Sequence, residues 1–398
     1  MQSLPQLDLI SAKMDQLKLH LQVVDVEQLA AIHSAGRVVA QNVQAFRDSP
    51  ATDVSAMDGF ALRLADIDGN PLPVIATATA GSAPQQLAPR SAIRVFTGGP
   101  VPAQAECVVR REDCDESESQ VAIQVPKESI AFGHNIRRKG ENARQGDTVI
   151  PRGSMLTANR FAGTMTFLQE NTIDVFKKVS VHIINTGDEL IEFGQSIEPW
   201  QIRDSNGPFL ESILANQTWL QTKRSKVSDQ RAETEHAIRD SLAECDVLLL
   251  TGGVSMGDTD YVPDSIRSVG GQVVFHRIPI RPGRPMLGAY GPKGQLILGL
   301  PGNPLSVAVT FRRYALELIR HVGGFLRPEL VPLMPLEFSD SKTMDLTWFR
   351  LVSLSEEGKL SLVTSQGSGD IASLIYSDGF VEVPPNSRAA GSRKFYAW

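Results

Sequence analysis

Cysteine is scarce: Cys107, Cys114 and Cys245 are the only three in 398 residues. Their number is odd and their spacing fits no metal motif, which argues against a disulfide framework or a zinc site. A membrane-length apolar run is also missing. The longest uncharged apolar stretch, 294–311, carries Pro-Gly-Asn-Pro in its middle and cannot form one spanning helix. The first residues, MQSLPQLDLISAKMDQ, lack the basic start and apolar centre of a signal peptide. An excess of positive charge is absent too: the net charge is −6 and the pI is near 5.7. Chains that wrap nucleic acid are usually basic, so that class is disfavoured. Neither a P-loop lysine signature nor GxGxxG occurs, which removes support for ordinary NTPase and dinucleotide readings. Together these absences predict a soluble, cytoplasmic chain with no nucleic-acid or membrane partner.

What is present is a multidomain pattern. At ~150 residues per domain the length suggests two to four domains, and 42% hydrophobic with 21% charged residues is ordinary globular composition. Leu9, Ile10, Met14, Leu17 and Leu21 fall at helical spacing over 8–21. Residues 27–34 read as a second short helix stopped by Gly36, and RVVAQNVQA as a strand. From 48 to 135 short β-rich runs alternate with Gly, Pro and acidic turns, and the acidic run 112–119 reads as a solvated hairpin tip. A helix is expected at 157–168. Beyond it, Val179–Ile184, Val247–Leu250 and Leu296–Leu300 are apolar runs suited to a buried parallel sheet. Helical stretches near 207–216, 230–243, 261–269 and 305–320 separate them, which is βαβ alternation. The tail reads as β, with a hairpin at WFRLVSLS-EEGK-LSLVTS and a strand at FVEVP.

In an open parallel sheet, ligands bind beyond the carboxyl ends of the strands. Four loops there combine glycine with polar or charged residues: Thr186-Gly187-Asp188-Glu189, the run 251–260 (TGGVSMGDTD), Arg281-Pro282-Gly283-Arg284-Pro285, and Pro301-Gly302-Asn303-Pro304. Glycine-rich turns expose backbone N–H groups that attract anions. Arg281 and Arg284 add fork-shaped positive charge suited to an oxyanion. Asp188, Glu189, Asp258 and Asp260 are candidate Mg²⁺ ligands. Taken one at a time, each loop is more often a plain turn, cap or surface pair. Four on one edge suggest a phosphorylated ligand with a divalent ion. A second cluster sits in and beside the β-rich segment. It comprises Asp58 in SAMDGFAL, Thr97 in FTGGPVP, and the basic Arg137-Arg138-Lys139 in NIRRKGEN.

These runs, with INTGDEL, RDSNG, LLLTGGVSMGDTDYV, RPGRP, LPGNPLSVAVTF and QGSGDIASLIYSDGFVEVP, resemble in content and order the MoeA-type molybdopterin molybdenumtransferases, which include the gephyrin E domain. The resemblance runs to about residue 385. It implies a multidomain α/β plus β fold with four parts. These are a mixed two-segment domain at 1–47 and 136–176, a β-rich insert at 48–135, a three-layer α/β domain with a parallel-type sheet at 177–327, and a small C-terminal β-barrel at 328–398. It also implies a homodimer with the active site between subunits. The implied reaction takes adenylylated molybdopterin and molybdate, releases AMP, and leaves molybdenum on the dithiolene with the help of Mg²⁺. Implied protein contacts are a molybdopterin adenylyltransferase and molybdoenzyme apoproteins.

Carried onto this chain, the resemblance makes Asp58, Glu189, Asp229 and Asp260 catalytic. It assigns Asp258, Asp260 and Glu189 to the metal. Substrate contacts fall on Thr97, Arg137, Arg138, Gly252, Gly253, Ser255, Arg281, Arg284, Pro301, Gly302 and Pro304. Two positions depart from the family pattern. Arg281 and Arg284 stand where lysines are common, which keeps charge but changes geometry. Asn142 stands where Gly-Glu-Asp is common. The alternative enzymes on such an α/β domain are a molybdopterin adenylyltransferase or a nucleotide hydrolase, which need neither the insert nor the β tail. The non-enzyme alternative is a dimeric peptide-binding scaffold.

Overall fold

The computed structural model describes residues 6–254 and 261–398. The chain forms two compact units, one from Met1–Gln41, Arg152–Phe161 and Thr172–Trp398, the other from Asn42–Pro151 and Ala162–Asn171.

The first unit is built on a six-stranded sheet in the order Leu220–Val227, Val179–Thr186, Val247–Thr251, Leu296–Leu300, Leu287–Tyr290, Gln272–His276. The first four strands are parallel. Leu287–Tyr290 runs antiparallel to both of its neighbours, so the sheet is mixed rather than wholly parallel. The reason is local: residues 277–286 join Gln272–His276 to Leu287–Tyr290, too few for the parallel crossover, which needs about a dozen. Val247–Thr251 and Leu296–Leu300 are buried along their whole length, as apolar runs covered on both faces should be. Helices Asn206–Ala215, Arg231–Glu244 and Val262–Ser268 alternate with the strands, and a helical run opens at Pro304. Leu249, Leu298, Val307 and Leu318 belong to the same core and are fully buried. Trimming any one to alanine would cost about 2–5 kcal/mol for a leucine and somewhat less for the valine.

Residues 27–34 do not form the helix their composition suggests. Val26–Ala30 is a strand paired antiparallel with Thr172–Phe176, and only Ala31–His33 makes a helical turn. A ladder partner far along the chain overrides local preference here. The run after Gly36 keeps only Val43–Gln44 as a strand, with single bridges at Val38 and Val39.

The tail contributes a second sheet, ordered Ile280–Arg281, Thr347–Leu354, Gly379–Val383, Ser392–Ala397, Leu333–Pro335, with Leu360–Leu362 paired to Thr347–Leu354. The expected hairpin is therefore present. A bridge between Leu336 and Leu360 links two further parts of this sheet. Ile280–Arg281 belongs in sequence to the α/β segment, yet it pairs in parallel with Thr347 and Trp348 of the tail.

The second unit is a six-stranded sheet, Cys107–Arg110, Gly59–Leu62, Ala92–Val95, Leu72–Ala78, Gln120–Ile123, Cys114–Glu116. The acidic run makes its terminal hairpin. Asp113 is tied to Arg110, and Glu116 to Arg94 and Arg111. All three cysteines are free thiols, and burial pushes their pKa up to about 12, which disfavours the thiolate. Among the described residues no helix is long and apolar enough to cross a membrane.

Candidate functional site

Strands Val179–Thr186, Val247–Thr251 and Leu296–Leu300 all end on one edge, because they are parallel neighbours. Two reversals from Leu296–Leu300 bring the end of Gln272–His276 to that edge as well. Three of the four loops singled out in the sequence therefore start from a common edge, while the Arg281–Pro285 loop is reached from it through residues 277–280 and begins on a strand of the tail sheet. Gly252 and Gly302 are adjacent: a Cβ on Gly302 would lie 3.6 Å from the Gly252 Cα. Gly252 itself has φ +90°, and a Cβ there would stand 2.7 Å from the Thr186 Oγ1. Only glycine fits both the conformation and the contact.

Buried polar groups hold these loops. Asn185 donates from Nδ2 to Thr251 Oγ1 at 2.8 Å and to Asp204 Oδ1 at 3.3 Å. Asp204, nearly inaccessible, also accepts from the Gly207 N–H at 3.0 Å and from Arg224 at 2.9 Å. Arg224 forks onto Glu192 and reaches Glu211. Its pKa is raised, with the Glu192 hydrogen bond the largest cause. Asn206 donates to the Gly302 carbonyl at 2.7 Å. The RDSNG run thus ties the Pro301–Pro304 loop to the ends of two central strands. Its presence as a polar, glycine-containing run was visible in the sequence, whereas its role as a loop clamp was not.

The carboxylates divide. Asp188 and Asp229 are joined reciprocally, each backbone N–H donating to the other's carboxylate at 3.3 Å. Glu189 is exposed beside them. Ser255, Asp258 and Asp260 lie outside the described residues. Among the described residues no group of three or more His, Cys, Asp or Glu converges as a metal cluster.

Arg281, Arg284, Pro301 and Asn303 line a cavity of about 880 Å³. Its other wall comes from the tail, including Asp340, Lys342, Trp348, Arg350 and the 364–368 loop. The pairing of Arg281 with Trp348 fixes one end of the RPGRP loop. Asn303 donates to Ser368 Oγ at 2.9 Å, which tethers the Pro301–Pro304 loop to the tail. Pro304 opens the helical run behind it. Arg350 stacks 4.1 Å from the Trp348 ring centre and donates to Asp340 at 2.7 Å. The Lys342 backbone N–H, followed by Arg350, holds the Asp340 carboxyl below its ordinary range. Among the described residues, four cations and one acid line this cavity. Among the described residues neither Arg281 nor Arg284 is drawn into an ion pair, so both retain charge for a ligand.

In the second unit the ladder explains a different pair. Gly59 opposes Val95, which puts Asp58 beside the segment that follows Val95. Thr97 donates from both its backbone N–H and its hydroxyl to Asp58 Oδ1, each at 2.8 Å. The Asp-Gly order is forced, because a Cβ on Gly59 would lie 2.0 Å from the Val109 carbonyl oxygen. The Thr97 N–H, then its hydroxyl, lower the Asp58 pKa. A depressed carboxyl favours the folded state above its unfolded pKa, and that contribution fades as pH falls through the folded value. Thr97→Val should therefore move the Asp58 pKa part of the way back toward the ordinary carboxyl value, since the backbone bond remains. Carbon-detected NMR titration of Asp58 reads this, and an unmoved value would show the hydroxyl bond to be irrelevant.

The basic run is less free than its sequence suggests. Arg138 pairs with Asp53 at 2.6 Å, Lys139 with Asp48 at 3.3 Å, and Arg137 with Glu141 at 3.5 Å. Arg137 also donates to Asn142 Oδ1 at 2.5 Å. The acids that compensate this run, Asp48 and Asp53, lie far back in the chain.

The profile for the MoeA N-terminal region (domain I and II) matches residues 6–167, and that for a probable molybdopterin binding domain matches 182–321. A molybdopterin molybdenumtransferase of Synechococcus elongatus is 33% identical over 391 residues, covering 95% of this chain and 94% of the relative. This chain belongs to the molybdopterin molybdenumtransferase family. A relative of that name from Nostoc is 33% identical over 302 residues, 73% of this chain and 68% of its own length. The crystal structure of the molybdopterin biosynthesis moeA protein from Pyrococcus horikoshii OT3 superposes with a TM-score of 0.79 at 25% identity, covering 97% of both chains. The family's multidomain α/β architecture with mixed sheets is therefore shared along almost the full length.

Proposed function

We propose that this chain, as a molybdopterin molybdenumtransferase, takes adenylylated molybdopterin and molybdate, releases AMP and leaves molybdenum on the dithiolene. The observation that carries this reading is the pair of guanidinium groups, Arg281 and Arg284, in the cavity beside Pro301, neither in an ion pair among the described residues. Fork-shaped donors fixed at a sheet edge suit a tetrahedral oxyanion or a phosphate. The Gly252–Gly253 and Gly302 turns present backbone to the adenylate phosphates. Arg137 and Arg138 serve the substrate only by exchanging their present carboxylate partners. Glu189 offers hard oxygen of the kind Mg²⁺ selects, and with Asp258 and Asp260 it would hold that ion, which would neutralise phosphate charge. Asp229, bound to the Asp188 loop, positions that carboxylate face.

The four-part division at 1–47 with 136–176, 48–135, 177–327 and 328–398 belongs to the same reading. The Leu336–Leu360 bridge supports describing the last part as a small barrel. A cytoplasmic homodimer that completes each site with Asp58 and Thr97 of the other subunit belongs to the same reading, as do the hand-over contacts with the adenylyltransferase and molybdoenzyme apoproteins.

Asp260→Ala should abolish AMP release while the thermal melt stays unchanged, and Asp58→Ala should do the same. Mixed and re-equilibrated in equal amounts, the two dead variants should recover about a quarter of wild-type turnover, because half the dimers then carry one intact site of two. Near-normal turnover of Asp260→Ala would sink the catalytic assignment, and no recovery on mixing would sink the shared site.

A further inference from the structure

A second cavity of about 330 Å³ shares no lining residue with the first. It forms where helix Leu316–Val322 ends, between the segment that follows that helix, Lys18 and strand Ser392–Ala397. Six cations and two carboxylates, Glu317 and Glu329, line it. The two acids are already committed. Glu329 takes both ends of the Arg312 fork at 2.8 Å. Glu317 takes Lys18 at 2.7 Å and Arg313 at 3.2 Å. Among the described residues no carboxylate pairs with Arg320, Arg327 or Lys394.

Arg320 is the informative member. It is half-buried, with its guanidinium 3.8 Å from the Phe325 ring centre. Its hydrogen bond to the Arg327 carbonyl is long, at 3.3 Å. Burial pushes its pKa down from the ordinary value. The negative end of helix Leu316–Val322 relieves part of this charge, but it leaves Arg327 and Lys394 uncompensated. A planar guanidinium held over an aromatic face, with N–H groups to spare, is preorganised for an oxyanion.

We propose that this cavity is a second anion site, in which Arg320, Arg327 and Lys394 bind the phosphate group of a small phosphate ester or of inorganic phosphate. Its volume lies at the low end of the roughly 300–1,000 Å³ of small-molecule sites, which leaves room for a short ester chain beyond the phosphate.

Calorimetric titration of the full chain with inorganic phosphate and with glycerol 3-phosphate tests this. It should be run on wild type, Arg320→Gln, and the double variant Arg281→Gln with Arg284→Gln. Arg320→Gln should weaken one phosphate-binding event at least about tenfold, with AMP release unchanged. The double variant should retain that event. Tighter binding of glycerol 3-phosphate than of phosphate identifies an ester as the ligand, and equal binding identifies the free ion; either supports the site. Wild-type binding by Arg320→Gln, or loss of all phosphate binding in the double variant, overturns it. If Arg320→Gln melts at lower temperature than wild type, Arg327→Gln with Lys394→Gln, both exposed, carries the test, and unchanged affinity in that variant overturns the proposal equally.

Discussion

Replacing Arg281 and Arg284 together by glutamine is expected to lower kcat/KM for molybdate-dependent AMP release by roughly 10²- to 10⁴-fold. Each charge-assisted bond contributes about 1.5–3 kcal/mol, and two such bonds multiply to that range. Both side chains are exposed, and among the described residues neither is in an ion pair, so the thermal melt should stay where it is. The double lysine variant separates charge from shape. It keeps the field of the cavity but loses the planar fork, so it should fall between wild type and the glutamine variant. The same series with tungstate shows whether the two arginines set oxyanion preference. A glutamine variant within a few-fold of wild type would place molybdate elsewhere.

A comparable effect on stability is expected at Glu382. This carboxylate is buried where the tail sheet meets the helical run of the α/β segment. It accepts from Arg313 Nε at 3.0 Å and from the Tyr396 hydroxyl at 2.9 Å. Burial alone would pull the Arg313 pKa down, and Glu382, with Tyr314 and Tyr396, more than reverses it, leaving the guanidinium above its ordinary value. Glu382→Ala removes the acid but leaves the buried cation. Losses of ~3–5 kcal/mol follow such broken pairs, and the contact with Glu317 brings the expectation here to about 2–4 kcal/mol. Urea unfolding measures it. Arg313→Met with Glu382→Leu should recover most of the loss, because both desolvation costs then disappear. A double variant no better than Glu382→Ala would show that packing, not charge, holds this joint.

Much of the site was legible because parallel strands buried on both faces announce themselves. Val247–Leu250 and Leu296–Leu300 are apolar runs, and the residues after them had to share an edge. Asp58 and Thr97 were legible as motifs, and their contact follows from one ladder pair. Leu220–Val227 was hidden because an edge strand needs no continuous apolar run, and LQTKRSKV has almost none. The strand at Val26–Ala30 was hidden because its partner comes after the whole second unit. The same non-locality concealed the tail half of the cavity: nothing near Arg281 in sequence points to Trp348 or Ser368. It also concealed the neutralisation of Arg138 and Lys139 by Asp53 and Asp48, which made the basic run look freer than it is.

The pairing of Val26–Ala30 with Thr172–Phe176 has a consequence for how the chain folds. Closing that ladder in an open chain means closing a loop that contains the whole of the second unit. Loop-closure entropy grows only logarithmically, about 0.6 kcal/mol per doubling of length, so the thermodynamic toll is modest. The kinetic one is larger, since non-local contacts form late. The host backbone already brings the ends together: the Val39 N–H donates to the Ser154 carbonyl at 3.0 Å, and the Gly153 N–H to the Val39 carbonyl at 2.9 Å. If the inserted sheet condenses first around its own core, it shortens the effective tether and hands the host a nearly closed loop. The order of events is then insert before host, and a lesion in the insert's core should slow the assembly of a sheet it does not belong to.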